Sequence, residues 1–362
     1  MSHAYDDAKQ RFSNPAGTEG FEFVEFSSPS LGQLTALFHQ MGFHSFAQHK
    51  TRPLTWFKQG DIHFLVSEED HGFASDFSGQ HGPSACAMGF KVSDADKAFQ
   101  YALSREAKPC KRKMLEFRAP AIHGIGDSLL YLVDDSVRER LYRDQFELVE
   151  NEVPVLNSGF NSAGLTYIDH LTHNVQRGHM DPWAEFYHRV FNFREIRYFD
   201  IKGAKTGLHS RAMTSPCGKI RIPVNESTDD KSQIEEFLQA YRGEGIQHIA
   251  LGSDDIYKTV SALRKNGIKF MDVPDTYYDM IAERLPGHHE AIDKLREHRI
   301  LIDGHMESGK LVLLLQIFTE NLIGPIFFEI IQRKGDEGFG EGNFQALFES
   351  IERDQIARGV LS

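Results

Sequence analysis

The sequence predicts an α+β protein in which one β-α-β-β-β unit occurs four times, twice in each half of the chain. Three observations lead to this fold class: short alternating strands, amphipathic helical stretches between them, and similarity between the two halves. Four segments of the first half recur in the same order in the second, which indicates a duplicated domain. We expect the sheet of each half to curl into an open barrel around a central cavity.

The clearest match relates Ser84–Leu103 to Glu244–Leu263, each a strand followed by a helix with a predicted aspartate cap at Asp94 or Asp254. The other three matches pair Gly60–Glu68 with Gly218–Glu226, Phe21–Phe43 with Tyr167–Phe193, and Leu129–Val133 with Phe327–Ile331. Linker residues cluster near Asn151–Gly159. We therefore place one domain at residues 1–150 and a second at 151–362, ending in a helical stripe over Phe344–Leu361 that is expected to cover a barrel mouth.

Composition narrows the classes of function. The formal net charge is -12, with 40% hydrophobic and 25% charged residues, so nucleic acid and anionic membrane are poor partners. The apolar run Leu311–Leu315 is too short to span a bilayer, and the polar N-terminus lacks signal-peptide features. Three cysteines without metal-site spacing, Cys86, Cys110 and Cys217, are typical of reduced thiols in a cytoplasmic protein.

Three polar residues interrupt apolar strands of the second half: His170, His248 and Glu329. A buried carboxylate without a partner costs several kcal/mol, roughly, so Glu329 requires a cation or a proton. Two imidazoles and one carboxylate on a shared cavity wall match the ligand set of mononuclear non-haem Fe(II) enzymes. That set leaves three coordination positions for a chelating substrate and O₂.

The first half lacks this ligand set. We align His170, His248 and Glu329 with Glu25, Met88 and Tyr131. A metal site is therefore expected in the second half alone.

His173 is the rival ligand, because His170 and His173 have HxxH spacing. Residues three apart on a strand point to opposite faces, so we choose His170 and expect His173 in the core or facing solvent. His288 and His289 follow a Pro-Gly turn and are expected to be solvated. Nucleophile-elbow, P-loop and dinucleotide-binding motifs are absent from the sequence.

Five motifs carry a family resemblance: Ile168–Val175, Gln247–Ala250, Leu313–Phe318, Phe327–Arg333 and the Gly338–Phe344 segment. From about Gly20 onward the chain resembles the bacterial 4-hydroxyphenylpyruvate dioxygenases. The resemblance implies the vicinal oxygen chelate (glyoxalase-like) fold, with a degenerate, structural first domain and a C-terminal gating helix. It also implies Fe(II)-dependent conversion of 4-hydroxyphenylpyruvate and O₂ to homogentisate and CO₂ in tyrosine and phenylalanine catabolism, and a cytoplasmic homotetramer.

The resemblance also implies residue roles. The iron ligands would be His170, His248 and Glu329. The substrate pocket would contain Ser210, Pro223, Asn225, Gln233, Phe318, Phe327 and Phe339. Catalytic roles fall on Gln316, Phe344 and Gln247. A regular strand would turn Gln247 away from His248, so its role requires a bulge or an indirect contact.

Three alternatives remain open. Hydroxymandelate synthase would share the substrate, the iron site and the fold, but it oxidises the benzylic carbon. Phe344 favours homogentisate, because that sister family tends to have a smaller aliphatic residue there. A non-catalytic binding protein on the same fold would lack the intact triad and the long C-terminal helix, and extradiol dioxygenases would lack the Gly338–Phe344 segment.

Overall fold

Two eight-stranded mixed sheets, one in each half of the chain, form the frame of the protein. In this computed structural model, the residues that the structure describes are 13–110, 119–149, 162–202, 206–340, 342–343, 345, 355–356 and 358–359. The predicted domain boundary at residue 150 lies outside these ranges and stays a prediction.

The first sheet contains β1 (Thr18–Ser27), β2 (His44–His49), β3 (Leu54–Gln59), β4 (Ile62–Ser67), β5 (Ser84–Val92), β6 (Ala121–His123), β7 (Leu129–Val133) and β8 (Phe146–Leu148). Their spatial order is β6-β7-β5-β1-β4-β3-β2-β8. At its centre β1 is parallel to β4 and antiparallel to β5, and β5 is parallel to β7.

The second sheet contains β9 (Leu165–Val175), β10 (Arg194–Lys202), β11 (Gly207–Thr214), β12 (Arg221–Ser227), β13 (Gly245–Ser253), β14 (Leu301–Glu307), β15 (Lys310–Phe318) and β16 (Phe327–Lys334). Their order is β10-β11-β12-β9-β13-β16-β15-β14. Here β9 is parallel to β12 and antiparallel to β13, and β13 is parallel to β16. The same central pairing in both sheets confirms the duplicated α+β fold.

The halves differ in one strand. In the second half β14 extends the sheet beyond β15. In the described part of the first half only β6 and β7 occupy that side, and β8 pairs with β2 at the opposite edge.

Ten α-helices connect the strands: α1 (Gln33–Gln40), α2 (Phe73–His81), α3 (Ala95–Ser104), α4 (Asp135–Glu139), α5 (Met180–Phe191), α6 (Gln233–Tyr241), α7 (Ile256–Lys265), α8 (Asp275–Asp279), α9 (Ile281–Arg284) and α10 (Ile292–His298), all within the described ranges. A 3₁₀ turn at Ile125–Asp127 and a π-helical turn at Arg140–Asp144 complete the first half. Each described helix falls short of the length and apolar content that a bilayer-spanning segment needs.

The helix caps confirm one predicted aspartate and correct the other. Asp94 caps α3 by accepting a hydrogen bond from the backbone N of Lys97 at 2.9 Å. The cap of α7 is Asp255, which accepts from the backbone N of Lys258 at 3.1 Å, so the expectation of Asp254 was wrong by one residue. The backbone carbonyl of Asp254 instead accepts a hydrogen bond from the side chain of Gln332 on β16. Asp254 therefore belongs to the turn that follows β13.

Strand register also corrects the alignment of the two halves. On β5, Gly89 lies between Phe23 and Tyr131; on β13, Ala250 lies between His170 and Glu329. Phe23 is therefore the counterpart of His170, and Tyr131 is the counterpart of Glu329, as predicted.

The counterpart of His248 follows from the same ladders. Ala87 pairs with Glu25, and His248 pairs with Thr172. Ala87 therefore corresponds to His248, and the predicted counterparts Met88 and Glu25 were wrong. Short apolar strands resemble one another at several offsets, whereas backbone hydrogen bonding permits one register.

A turn of the first half holds the beginning of β9. Gln59 Oε1 accepts hydrogen bonds from the backbone N of Ala163 at 2.8 Å and of Gly164 at 3.1 Å. The next residue, Gly60, has φ of +57°, and a Cβ there would lie 2.7 Å from the carbonyl oxygen of Thr166. Only glycine permits this close approach, so the two halves are joined directly at the strand that carries His170.

The two halves also share an aromatic contact behind β16. The ring of Phe328 lies 6.5 Å from the ring of Phe38 and 6.2 Å from that of Phe64, both in the first half. Because side chains alternate along a strand, Glu329 points to the opposite face. The core of the first half therefore supports the strand that carries the buried carboxylate.

Little of the predicted C-terminal helix lies within the described residues. Gln355 and Arg358 both hydrogen bond to Glu236 on α6, with Gln355 Nε2 3.1 Å and Arg358 Nη1 2.6 Å from its carboxylate oxygens. Phe344 lies outside the described residues.

We predict that Phe328→Ala lowers the free energy of unfolding by about 3–5 kcal/mol, because it leaves a cavity between the halves. A urea titration measures the change. Met306→Ala, at a side chain that is 64% exposed, is the control and should stay within about 0.5 kcal/mol of wild type. Equal stability of the two variants would contradict a supporting role for this contact.

Candidate metal centre and active site

Two imidazoles and one carboxylate converge in the interior of the second sheet. His170, His248 and Glu329 lie on the adjacent strands β9, β13 and β16, and all three side chains are buried. His170 Nε2 is 3.1 Å from Glu329 Oε2, and His248 Nε2 is 3.5 Å from the same oxygen. Octahedral coordination with bonds of about 2.1 Å places neighbouring ligand atoms about 3 Å apart, so this spacing suits one metal ion.

Two β-bulges orient the imidazoles. The ladder between β9 and β13 shifts register at Asp169 on β9 and at Gln247 on β13. A bulge lets consecutive residues point toward the same side of a sheet. Asp169 Oδ1 lies 2.9 Å from His170 Nδ1, and Gln247 Oε1 lies 2.8 Å from His248 Nδ1. Each bulge residue therefore contacts the ring that follows it, and both rings direct Nε2 toward Glu329.

This arrangement suits a bound cation. Each Nδ1 lies within hydrogen-bonding distance of a side-chain oxygen, and a histidine that donates from Nδ1 keeps the lone pair of Nε2 for a metal. The Nε2 atoms of both rings face the carboxylate of Glu329 in a buried site, where charges are poorly screened. A proton on one Nε2 would satisfy that nitrogen alone, whereas a metal ion would bind all three groups.

Burial and charge have opposite effects on the pKa values here. Burial favours a higher pKa for Glu329, but His170 and His248 lower it to about 2. Burial favours a lower pKa for His170, but the carboxylates of Glu329 and Asp169 raise it above the ordinary value. Burial dominates at His248 and lowers its pKa. Glu329 is therefore an anion at neutral pH, the form that binds a metal.

His170, His248 and Glu329, called the triad below, line a cavity. Strands near both edges of the second sheet contribute to its wall. Its lining residues are His170, Thr172, Phe199, Ser210, Pro223, His248, Gln316, Phe318, Glu329 and Phe339. Since β10 and β15 lie near opposite edges of the sheet yet face one cavity, the sheet curls into a half-barrel.

Similarity to known proteins extends over nearly the whole chain. Residues 12–169 match the family model described as hydroxyphenylpyruvate dioxygenase, HPPD, N-terminal, and residues 167–282 match the glyoxalase/bleomycin resistance protein/dioxygenase superfamily. The chain is 56% identical over 359 residues to 4-hydroxyphenylpyruvate dioxygenase of Pseudomonas aeruginosa, covering 98% of this chain and 99% of the relative. The chain belongs to the 4-hydroxyphenylpyruvate dioxygenase family.

Other members and neighbours agree with this assignment. Hemolysin VllY of Vibrio vulnificus is 55% identical, covering 96% of this chain and 98% of its own. A mutant of 4-hydroxymandelate synthase from Streptomyces coelicolor has a similar structure, with a TM-score of 0.77 at 25% identity, covering 93% of this chain and 99% of that one. Membership in the dioxygenase family makes the chain an oxidoreductase and implies a metal cofactor, which the ligand chemistry of the triad suits.

The structure places five of the predicted pocket or catalytic residues in the lining of the cavity: Ser210, Pro223, Gln316, Phe318 and Phe339. Gln316 Nε2 donates to Glu329 Oε1 at 2.6 Å, and its Oε1 accepts from Asn343 Nδ2 at 2.8 Å. The partner that this strand amide was predicted to need is therefore a metal-ligand candidate.

Four predicted residues lie outside that lining. Asn225 pairs with Ser210 across β12 and β11, and Phe327 stacks on the ring of His248 at 4.8 Å. Gln247 is the bulge residue described above. Gln233 is the first residue of α6 and is half-buried.

Sequence reasoning missed Thr172 and Phe199. Thr172 follows His170 by two residues on β9, and its hydroxyl is 2.9 Å from His248 Nε2. Phe199 pairs with Ser210 across β10 and β11. The period-two alternation of β9 signals Thr172, whereas Phe199 becomes a neighbour only through strand pairing.

His173 is a core residue, one of the two places expected for it. It is buried, its Nε2 lies 2.6 Å from the hydroxyl of Tyr187, and burial lowers its pKa to about 3. His289 is exposed, as predicted, whereas His288 is half-buried.

We predict that His170→Ala weakens Co(II) binding more than about 100-fold, because it removes one of three ligands. His173→Gln keeps the triad and should bind Co(II) like wild type, although it perturbs the core. Metal affinity is measured by competition with a chelator, and folding of both variants by circular dichroism. Loss of the metal in His173→Gln alone would reverse the choice of ligand.

Proposed function

We propose that this chain is an Fe(II)-dependent 4-hydroxyphenylpyruvate dioxygenase that converts 4-hydroxyphenylpyruvate and O₂ to homogentisate and CO₂. The observation that carries the proposal is the convergence of His170, His248 and Glu329 on one point of a cavity with phenylalanine walls. The family relatives are named for this substrate. The atoms balance, since one oxygen atom of O₂ enters the ring and the other remains in the carboxylate that replaces the keto acid.

His170, His248 and Glu329 would hold the metal ion, and three protein ligands would leave positions for substrate and O₂. An Fe(II) ion at this triad would supply the binding of the substrate's keto acid and the activation of O₂. The protein's part is to hold the ligand atoms and limit water. Asp169 and Gln247 orient the imidazoles, and Gln316 fixes one oxygen of Glu329.

The phenol end of the substrate is assigned to Ser210, Asn225 and Gln233. Ser210 and Asn225 are paired and buried on adjacent strands, and Asn225 Oδ1 has no hydrogen-bond partner among the described residues. A buried acceptor of this kind usually finds a donor, and a neutral phenol hydroxyl provides one. Pro223 lies two residues before Asn225 on the same strand, lining the cavity.

Aromatic side chains are assigned to the substrate ring. Phe318 and Phe339 line the cavity, and Phe327 contacts both Phe318, at 6.1 Å, and His248. Offset stacking on such rings orients a planar substrate and keeps water out. Phe344 is proposed for the same wall and for the choice of product.

The first half is proposed as a structural domain, residues 1–150, and the second as the catalytic domain, residues 151–362. The position of the triad in the first half contains Phe23, Ala87 and Tyr131, and the rings of Phe23 and Tyr131 lie 5.7 Å apart. Aromatic packing there replaces the ligand set. We also propose, on the family resemblance alone, that the protein is a cytoplasmic homotetramer and acts in tyrosine and phenylalanine catabolism.

The proposal is tested by anaerobic loading with Fe(II), addition of substrate and O₂, and identification of products by chromatography and mass. We expect homogentisate from the wild type, and at least about 100-fold less from Glu329→Ala, which lacks the carboxylate ligand. His173→Gln is the matched control that keeps the triad. Hydroxymandelate would move the chain to the sister activity, and no iron-dependent turnover would leave a binding protein.

We also predict that Asn225→Ala raises KM for 4-hydroxyphenylpyruvate about 10-fold, the loss expected for one buried hydrogen bond, with less change in kcat. Steady-state kinetics measures both constants. Asn266→Ala, the same substitution at the end of α7, is the control. An unchanged KM in Asn225→Ala would remove Asn225 from the substrate pocket.

A further inference from the structure

A buried ion pair lies directly behind His170. Asp169 is the bulge residue of β9, and its carboxylate accepts from Arg333 Nε at 2.7 Å and from Arg333 Nη2 at 2.8 Å. Asp169 Oδ1 is at the same time 2.9 Å from His170 Nδ1. Arg221 Nη1 lies further away, 3.6 Å from Asp169 Oδ2. The two-pronged contact therefore comes from Arg333 and fixes the carboxylate that orients the imidazole.

The remaining nitrogen of Arg333 holds a loop of the cavity wall. Arg333 Nη1 donates to the carbonyl oxygens of Asp336 at 2.9 Å and Gly338 at 2.7 Å. The next residue, Phe339, lines the cavity with its ring 5.5 Å from that of His170 and nearly edge-on to it, at 65°. One guanidinium therefore contacts both the support of a metal ligand and the backbone that carries an aromatic wall residue.

The first half contains the same kind of pair without the site. The ladder between β1 and β5 shifts register at Glu22, the position that matches Asp169. Glu22 is buried and forms a two-pronged ion pair with Arg138, with Arg138 Nε 3.0 Å from Glu22 Oε1. The residue that follows Glu22 is Phe23, not a histidine. An arginine paired with a carboxylate at the bulge is thus common to both halves, although Arg138 lies on α4 and Arg333 on β16. In the second half the carboxylate orients a metal-ligand candidate, whereas Glu22 Oε1 lies 3.8 Å from Nδ1 of His63, which is not a ligand candidate.

We propose that Asp169 and Arg333 are positioning residues, and that this buried ion pair sets both the ring of His170 and the loop of Phe339. The inference rests on the metal centre of the proposed function. Removal of the pair should therefore affect metal binding and the aromatic wall together, whereas removal of the corresponding pair in the first half should affect stability alone.

The first test compares Asp169→Asn with Glu22→Gln, which neutralise corresponding carboxylates with little change of shape. Both should lower Tm of the metal-free protein. Asp169→Asn should also weaken Co(II) binding about 10- to 100-fold, the usual effect of removing the partner of a ligating histidine. Glu22→Gln should bind Co(II) with wild-type affinity. Equal Co(II) affinity in both variants, with equal loss of Tm, would reduce the Asp169–Arg333 pair to a structural role.

The second test concerns the loop. Arg333→Met removes the donors to Asp336 and Gly338, so KM for 4-hydroxyphenylpyruvate should rise in addition to the loss of Co(II) affinity. Arg138→Met is the matched control and should change neither. Arg333→Lys keeps the charge without the planar fork and should recover only part of both losses. A KM in Arg333→Met equal to that of wild type would overturn the assignment to the loop.

These outcomes are separable from failure of the proposed function. Absence of Co(II) binding in the wild type would remove the metal centre itself. Normal binding and turnover in the wild type, with Asp169→Asn unchanged in affinity, would remove only the positioning role.

Discussion

The arrangement of side chains in the second half depends on one buried carboxylate, which needs a positive charge beside it. Glu329 is buried on β16, and the Nε2 atoms of His170 and His248 are directed at its carboxylate. Such a group is unstable in a protein interior without a compensating cation. The surrounding contacts serve the same end: Gln316 binds the second oxygen of Glu329, and Phe328 anchors the strand from behind. The fold holds these groups in place so that metal binding need not organise them.

The two halves share one pattern of strand pairing but differ in the side chains at its centre. The ladders place Phe23, Ala87 and Tyr131 where the second half has His170, His248 and Glu329. In the first half, the rings of Phe23 and Tyr131 occupy this position in place of the ligand set. The bulges of β1 and β9 persist in both halves, each with a carboxylate paired to an arginine. The bulge therefore belongs to the frame that both halves share, and the second half uses it to orient His170.

Bulges also resolve an apparent conflict with strand alternation. Gln247 and His248 are neighbours, as are Asp169 and His170, and a regular strand would separate each pair onto opposite faces. The extra residue in each ladder lets the bulge side chain reach the ring of the histidine that follows it. Each histidine thus has its orienting partner next to it in sequence, which fixes the ring with little cost in chain entropy.

The sequence by itself determined the fold class, the duplication and the three converging ligand candidates, with His170 preferred to His173, because strand periodicity and buried charge are local properties of the chain. It also indicated that Gln316 needed a partner and that Gln247 needed a bulge. It did not determine which residues of the two halves correspond, the cap at Asp255, or the places of Thr172 and Phe199 in the cavity. Those depend on which backbone groups pair across strands. Only the tertiary structure decided that Arg333, far from Asp169 in sequence, joins a metal ligand to the Phe339 loop, since a guanidinium pairs with whichever carboxylate the folded sheet brings within reach.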